Sequence, residues 1–279
     1  MATILDGKII RDQIAEDLKS RLSALDPKPK LVIIQAGDNP ESNTYINQKI
    51  KFGENIGALV DHIRLPEDVT QEDVLGKIDD LNADANTHGI IVQLPIPPKL
   101  GKNEILENIV PIKDVDGLHS VNVKKLIDND PSGYIPATTR GVITLLEHYN
   151  IPISGKNAVV IGRSSLVGKP TTLSLLNHNA TVTICHSQTK NIEATTQAAD
   201  IIISAVGSPG LITKKNVKPG QVIVDVGTTV VDGKLKGDVN FEEVEPVVEY
   251  ISPVPGGAGP LTVASLFQNL LQAYQNQNA

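Results

Sequence analysis

Short aliphatic runs alternate with helical patterns along the chain. Leu31–Gln35, Leu59–Leu65 and Gly89–Gln93 read as strands in the first half, and Ala158–Ile161, Thr181–Cys185, Ile201–Ala205 and Val222–Val226 in the second. Such continuous runs suit strands covered on both faces, as in parallel sheets flanked by helices. Helix signals fall between them. Thr70 followed by Asp73 makes a start like a capping box, and Pro170, with its fixed φ, suits a first helical position. The pattern predicts an α/β chain with parallel sheets.

Two breaks interrupt the alternation. Asp, Pro, Ser and Gly cluster over Asp130–Thr139, ahead of a helix expected over Gly141–Tyr149, and Ser252–Pro260 is dense in Pro and Gly. They divide the chain into residues 1–138 plus 252–279 and residues 139–251. The helix after Pro260 carries Val263, Leu266, Phe267, Leu270 and Tyr274 on one side, so it is expected to pack back on the first domain.

Composition narrows the classes. No stretch of the 279 residues approaches the roughly 20 apolar residues of a membrane span. The start, Met1–Ile14, mixes charges with aliphatics and reads as mature protein rather than a signal peptide. Cys185 is the single cysteine, so no intrachain disulfide can form and a cytoplasmic location is expected. A net charge of -7 without a basic run, and aromatics at only 3%, argue against nucleic acid as partner. Six scattered histidines show no metal-ligand spacing, so no metal is expected.

Several segments carry candidate chemistry. On the helix expected to begin near Ser42, Tyr45, Lys49, Phe52 and Ile56 share one face, with Ile46, Ile50 and Gly53 as the packing stripe beside it. Lys49 either covers apolar surface with its stem while its ammonium reaches water, or is desolvated and able to move protons. Gln93 sits at the carboxyl end of a buried strand, where open α/β sheets bind ligands; it either caps local backbone or meets a ligand. Lys113-Asp114-Val115-Asp116-Gly117 is either a surface turn or a carboxylate facing paired N–H donors.

Val160 to Pro170 forms a strand-to-helix turn that departs from G-x-G-x-x-G, with Ser164 at the second glycine and Val167 at the third. A helix N-terminus there would receive phosphate. The next strand ends Cys185-His186-Ser187, without the acid that binds the ribose of NAD. Arg163 and Ser187 could instead hold a 2′-phosphate, which favours NADP over NAD. In Ser252–Pro260, prolines stiffen the loop and glycines allow close approach to a ligand.

Taken in order, these segments resemble the methylenetetrahydrofolate dehydrogenase/methenyltetrahydrofolate cyclohydrolase family of the bacterial bifunctional FolD type, from Asp6-Gly7-Lys8 to the last helix. The resemblance implies two α/β domains flanking a cleft, the first folate-binding and catalytic, the second an NADP-binding Rossmann-type parallel sheet. It implies NADP-dependent oxidation of 5,10-methylenetetrahydrofolate and hydrolysis to 10-formyltetrahydrofolate, within one-carbon metabolism and purine biosynthesis. Lys49 would be the catalytic lysine, Gln93 its hydrogen-bond partner, and Asp116 the pterin's carboxylate. Tyr45 would stack on the aminobenzoate ring, and the loop with Pro255, Gly256 and Gly257 would close over folate. Gly162, Arg163, Ser164 and Ser187 would bind NADP, Thr228 would lie by the cofactor, and a homodimer would form through the nucleotide domain. Pro136-Ala137-Thr138-Thr139 and Asp225-Val226-Gly227-Thr228-Thr229 depart from the family's usual Pro-Cys-Thr-Pro and Asp-Val-Gly-Ile-Asn. A cyclohydrolase that has lost its dehydrogenase, another NADP-dependent dehydrogenase, or an NADP-responsive binding protein are the alternatives.

Overall fold

The computed structural model describes residues 1–278. In chain order the elements are β1 (Thr3–Ile4), α1 (Gly7–Ser23), β2 (Lys30–Ala36), α2 (Pro40–Ile56), β3 (Leu59–Leu65), α3 (Gln71–Ala83), β4 (Gly89–Val92), α4 (Lys102–Asn108), α5 (Ser120–Ile127) and α6 (Ala137–His148). They continue with β5 (Asn157–Ile161), α7 (Gly168–Asn177), β6 (Thr181–Cys185), α8 (Ile192–Ala198), β7 (Ile201–Ser204), β8 (Val222–Asp225), β9 (Thr229–Val231), β10 (Lys234–Lys236), α9 (Phe241–Val244), β11 (Tyr250–Ile251) and α10 (Ala258–Gln277). Two compact units result: Gln13–Ala137 with the chain from Val263 onward, here the first unit, and Met1–Asp12 with Thr138–Thr262, the second.

The first unit is built on a parallel sheet ordered β3-β2-β4. Its central strand is buried from Leu31 to Ala36, and all but Gln35 of these are apolar, because both faces are covered. Leu31 and Ile33 pack with α1, α2 and α10, while Val32 and Ile34 pack with Val74 and Ile78 of α3. All five apolar positions expected on one side of α10 are buried, and Phe267 meets Phe52 of α2 with ring centroids 5.3 Å apart. Asn39 caps α2, its side-chain oxygen accepting from the Ser42 N–H at 3.0 Å with Pro40 in the first turn. The capping box of Thr70 and Asp73 opens α3 as the sequence predicts.

The second unit carries a parallel sheet ordered β1-β11-β8-β7-β5-β6, the arrangement of a doubly wound nucleotide-binding fold. Beside it stands the antiparallel β9–β10 hairpin, turned by Asp232-Gly233 with positive φ at both residues. The division differs from 1–138 plus 252–279 against 139–251 at both ends. Residues 1–12 and 252–262 belong to the second unit because β1 extends its sheet beside β11 and the Gly7 N–H donates to Gly256 O at 2.9 Å.

Other local expectations are revised. β3 and β6 are not covered on both faces; each is an edge strand with most side chains exposed. α6 begins at Ala137, four residues before the expected Gly141, since the threonines after Pro136 are tolerated in a first turn whose N–H groups need no helical partner. Pro170 is the third residue of α7 rather than the first, which that same freedom permits. Cys185 is fully buried at the end of β6.

Candidate active site

The first unit brings Lys49, Gln93 and Asp116 into one group. Lys49 stands midway along α2, and its Nζ donates to Gln93 Oε1 at 2.9 Å. Gln93 continues the ladder past β4, its N–H donating to Ile34 O at 2.8 Å. Its side-chain NH2 donates to Leu94 O at 2.8 Å, which turns its carbonyl oxygen to the lysine. Burial pulls the Lys49 ammonium below the ordinary lysine range, with the Asp116 carboxylate opposing. Burial likewise pushes Asp116 up, with Lys49 opposing. Each charge is costly alone and eased by the other, the electrostatic condition for a group that exchanges protons. Tyr45, one turn before Lys49, is 37% exposed, so its ring lies on the same helix face with a side open to a ligand.

Lys113 and Asp114, neighbours of Asp116 in sequence, are structural. The Lys113 ammonium is buried and donates to the carbonyls of Leu81, Asn82 and Asp84 at 2.9, 2.8 and 2.7 Å, capping the end of α3. Asp114 accepts from the N–H groups of Leu118 and His119 and from Asn122 Nδ2, and burial pushes its carboxyl up to about 7. The segment is therefore an organised turn that presents Asp116.

The second unit gathers the residues expected at a dinucleotide. Gly162 follows β5, and Ile161 stands opposite Cys185 of β6 in register. Arg163 and Ser187, each two residues beyond that pair, thus leave the sheet at the same edge. Both are exposed. The turn from His186 to Thr189 is closed by its own hydrogen bonds, with Ser187 at its tip. Ser164 Oγ accepts from the N–H groups of Val167 and Gly168 at 3.1 and 3.3 Å, closing the turn that leads into α7. The third glycine is not missing but displaced by one residue: a Cβ on Gly168 would lie 2.2 Å from Gly162 O. Only glycine lets α7 come so near the turn. Thr228 is exposed in the turn after β8.

Pro255, Gly256 and Gly257 lie in the second unit, so they are not part of the Lys49 group's own unit. Pro255 is exposed and the two glycines are buried. Gly257 has no room for a side chain within its own loop, because a Cβ there would lie 2.7 Å from Ser252 Cβ. Sequence reasoning passed over Asp225 and Asp238, buried carboxylates at the strand ends. The signal was present in the Asp-Val pair that occurs twice beside a glycine, in Asp225-Val226-Gly227 and Gly237-Asp238-Val239.

A doubly wound sheet with a tight strand-to-helix turn, in one chain with an α/β unit bearing a desolvated lysine, defines a two-domain α/β enzyme. Residues 5–116 match the family profile of the tetrahydrofolate dehydrogenase/cyclohydrolase catalytic domain, and residues 136–278 that of its NAD(P)-binding domain. The chain belongs to the tetrahydrofolate dehydrogenase/cyclohydrolase family. It is 48% identical over 277 residues to the bifunctional protein FolD of Staphylococcus haemolyticus, covering 98% of this chain and 97% of that protein. The crystal structure of the bifunctional enzyme FolD from Campylobacter jejuni matches with a TM-score of 0.97 and 44% identity over 99% of both chains. That of the Trypanosoma brucei methylenetetrahydrofolate dehydrogenase-cyclohydrolase, complexed with NADP and an inhibitor, matches with 0.94 and 36% identity over 99% of this chain and 98% of that one.

Proposed function

We propose that this protein oxidises 5,10-methylenetetrahydrofolate with NADP+ and hydrolyses the methenyl product to 10-formyltetrahydrofolate. The observation that carries the reading is the Lys49–Gln93 hydrogen bond beside the Asp116 carboxylate. Asp116 accepts the pterin's paired N–H donors and Tyr45 stacks on the aminobenzoate ring. Oxidation of the methylene bridge asks alignment of the protein and no obligatory base. Hydrolysis asks proton movement: water adds to the methenyl carbon, Lys49 takes its proton, and the bond from that carbon to N5 breaks as N5 gains a proton. Gln93 holds the amine.

The second unit fits NADP. Gly168 lets α7 close on the turn at Gly162, Ser164 shapes that turn, and no acid follows β6 to repel a 2′-phosphate. Arg163 makes no ion pair with any described residue, leaving its guanidinium for that phosphate. NADP+ supplies the hydride acceptor, and Thr228 lies beside it. The Thr229 hydroxyl donates to Gly207 O at 2.9 Å, so the departure from Ile-Asn is accommodated within the turn.

The protein acts in the cytoplasm, in one-carbon metabolism that feeds purine biosynthesis, as a homodimer through the nucleotide-binding unit. The free edge of β6, with Ile184 and Leu176 exposed, suits that contact. Among the described residues no helix is long and apolar enough to cross a membrane. The test is to mix purified protein with 5,10-methylenetetrahydrofolate and NADP+ and to follow NADPH, methenyl and 10-formyl products. Absence of both turnovers would overturn the assignment.

A further inference from the structure

Two buried carboxylates of the second unit have no task in the scheme above. Asp225 ends β8 and Asp238 follows β10, and the two residues bracket the β9–β10 hairpin. Asp225 Oδ1 accepts from the N–H groups of Gly227 and Asp238 at 3.1 Å each, and Oδ2 from Val239 at 2.9 Å. Asp238 Oδ2 accepts from the Ser204 hydroxyl and the Val206 N–H at 2.8 Å each, and Oδ1 from the Ser208 N–H at 2.6 Å. Packing repeats the reciprocity. A Cβ on Gly227 would lie 2.2 Å from the Asp238 carboxyl, and one on Gly237 would lie 2.0 Å from Asp225 Oδ2.

The segments held in this way are the loops that follow β7 and β8. Val226 and Gly227 donate to Ser204 O, and Thr229 closes the pair through Gly207 O. Stability alone does not call for such groups, since buried charges can often be replaced by apolar packing without loss. A carboxylate whose two oxygens both accept N–H groups instead specifies one loop conformation. In a doubly wound sheet the dinucleotide straddles the point where strand order reverses. Here that point lies between β5 and β7, so with the adenosine half at β5 and β6 the nicotinamide half falls on the ends of β7 and β8.

We propose that Asp225 and Asp238 are positioning residues that hold the loops after β7 and β8 in the conformation that receives the nicotinamide half of NADP+. This rests on the reading of the second unit as NADP-binding. Asn at position 238 cannot replace the carboxylate in either amide orientation, because each oxygen already accepts an N–H. Asp238→Asn should therefore raise the Kd for NADP+ about tenfold or more, measured by direct binding to the full chain. Cyclohydrolase activity needs no nicotinamide and should stay within about twofold on the same preparation. Thr229→Val, at a partly exposed site, should raise the Kd about two- to tenfold by removing one hydrogen bond, and it carries the test if Asp238→Asn does not fold. Unchanged NADP+ affinity, or cyclohydrolase loss in step with affinity, overturns the proposal. A wild-type chain that binds no NADP+ overturns the underlying reading instead.

Discussion

Replacing Lys49 with methionine removes the amine and keeps an unbranched apolar stem, so the row of Tyr45, Phe52 and Ile56 on α2 remains in place. The variant loses the 2.9 Å hydrogen bond to Gln93 and the charge that faces Asp116. For a neutral amine, that bond is worth about 0.5–1.5 kcal/mol, or roughly two- to tenfold in a step that uses the lysine only for positioning. Loss of a general base costs about 10²–10⁴. The two ranges do not overlap, which makes the comparison decisive. Lys49→Met should lower cyclohydrolase turnover by about 10²–10⁴ and the dehydrogenase by about tenfold at most. Both rates are to be taken on one preparation, with folate and NADP+ binding measured separately. The pH dependence carries the same information. Burial lowers the Lys49 pKa, so wild-type hydrolysis should rise with pH as the amine loses its proton, and the variant should lack that rise. Equal losses in the two reactions would refute the base role, and an unchanged hydrolysis rate would make Lys49 a lysine that merely covers apolar surface.

Arg163→Ala should cut the preference for NADP+ over NAD+ in kcat/KM by about ten- to a hundredfold, since a charge-assisted bond contributes about 1.5–3 kcal/mol; an unchanged ratio would count against the phosphate contact. Asp116→Asn should depress both activities together through weaker folate binding, and near-normal folate affinity would make Asp116 a turn residue. Asp114 and Asp225, raised by burial from 3.8 to about 7, hold protons in the folded chain that the unfolded chain releases. Their contribution to stability is complete below about pH 4 and is lost as pH rises towards 7, at up to about 1.4 kcal/mol per pH unit for each group. Urea titrations of Asp114→Asn should show a shallower fall over that window, and an identical slope would refute the assignment. Leu176→Glu should shift the protein towards monomer in light scattering if α7 and β6 form the dimer contact.

The strands were legible because apolar runs in a parallel sheet need no partner to be recognised. Edge position was not, because Leu59–Leu65 and Thr181–Cys185 owe their exposure to sheet order, a property of the assembled units. Lys49, Gln93 and Asp116 stood out as polar residues at apolar or strand-end positions, and the first unit brings them together. Their hydrogen bond was out of reach of spacing, since 44 residues separate Lys49 from Gln93. Gly168 was hidden by reading the glycine pattern at fixed intervals, whereas what matters is the distance between α7 and the turn at Gly162. The allocation of residues 1–12 followed the same logic: only the pairing of β1 with β11 reveals which unit they complete.

The lone thiol of Cys185 turns the second unit into its own recorder of breathing. It is sealed at the end of β6, where its carbonyl accepts the Gly162 N–H at 2.9 Å. Chemical tagging of that sulfur requires the strand to leave the turn beside it. When opening and reclosing are fast, the tagging rate measures the population of the opened form. A dinucleotide held at that turn suppresses this population in proportion to its occupancy. The native sequence thus reports, without an added label, how tightly its nucleotide edge is shut.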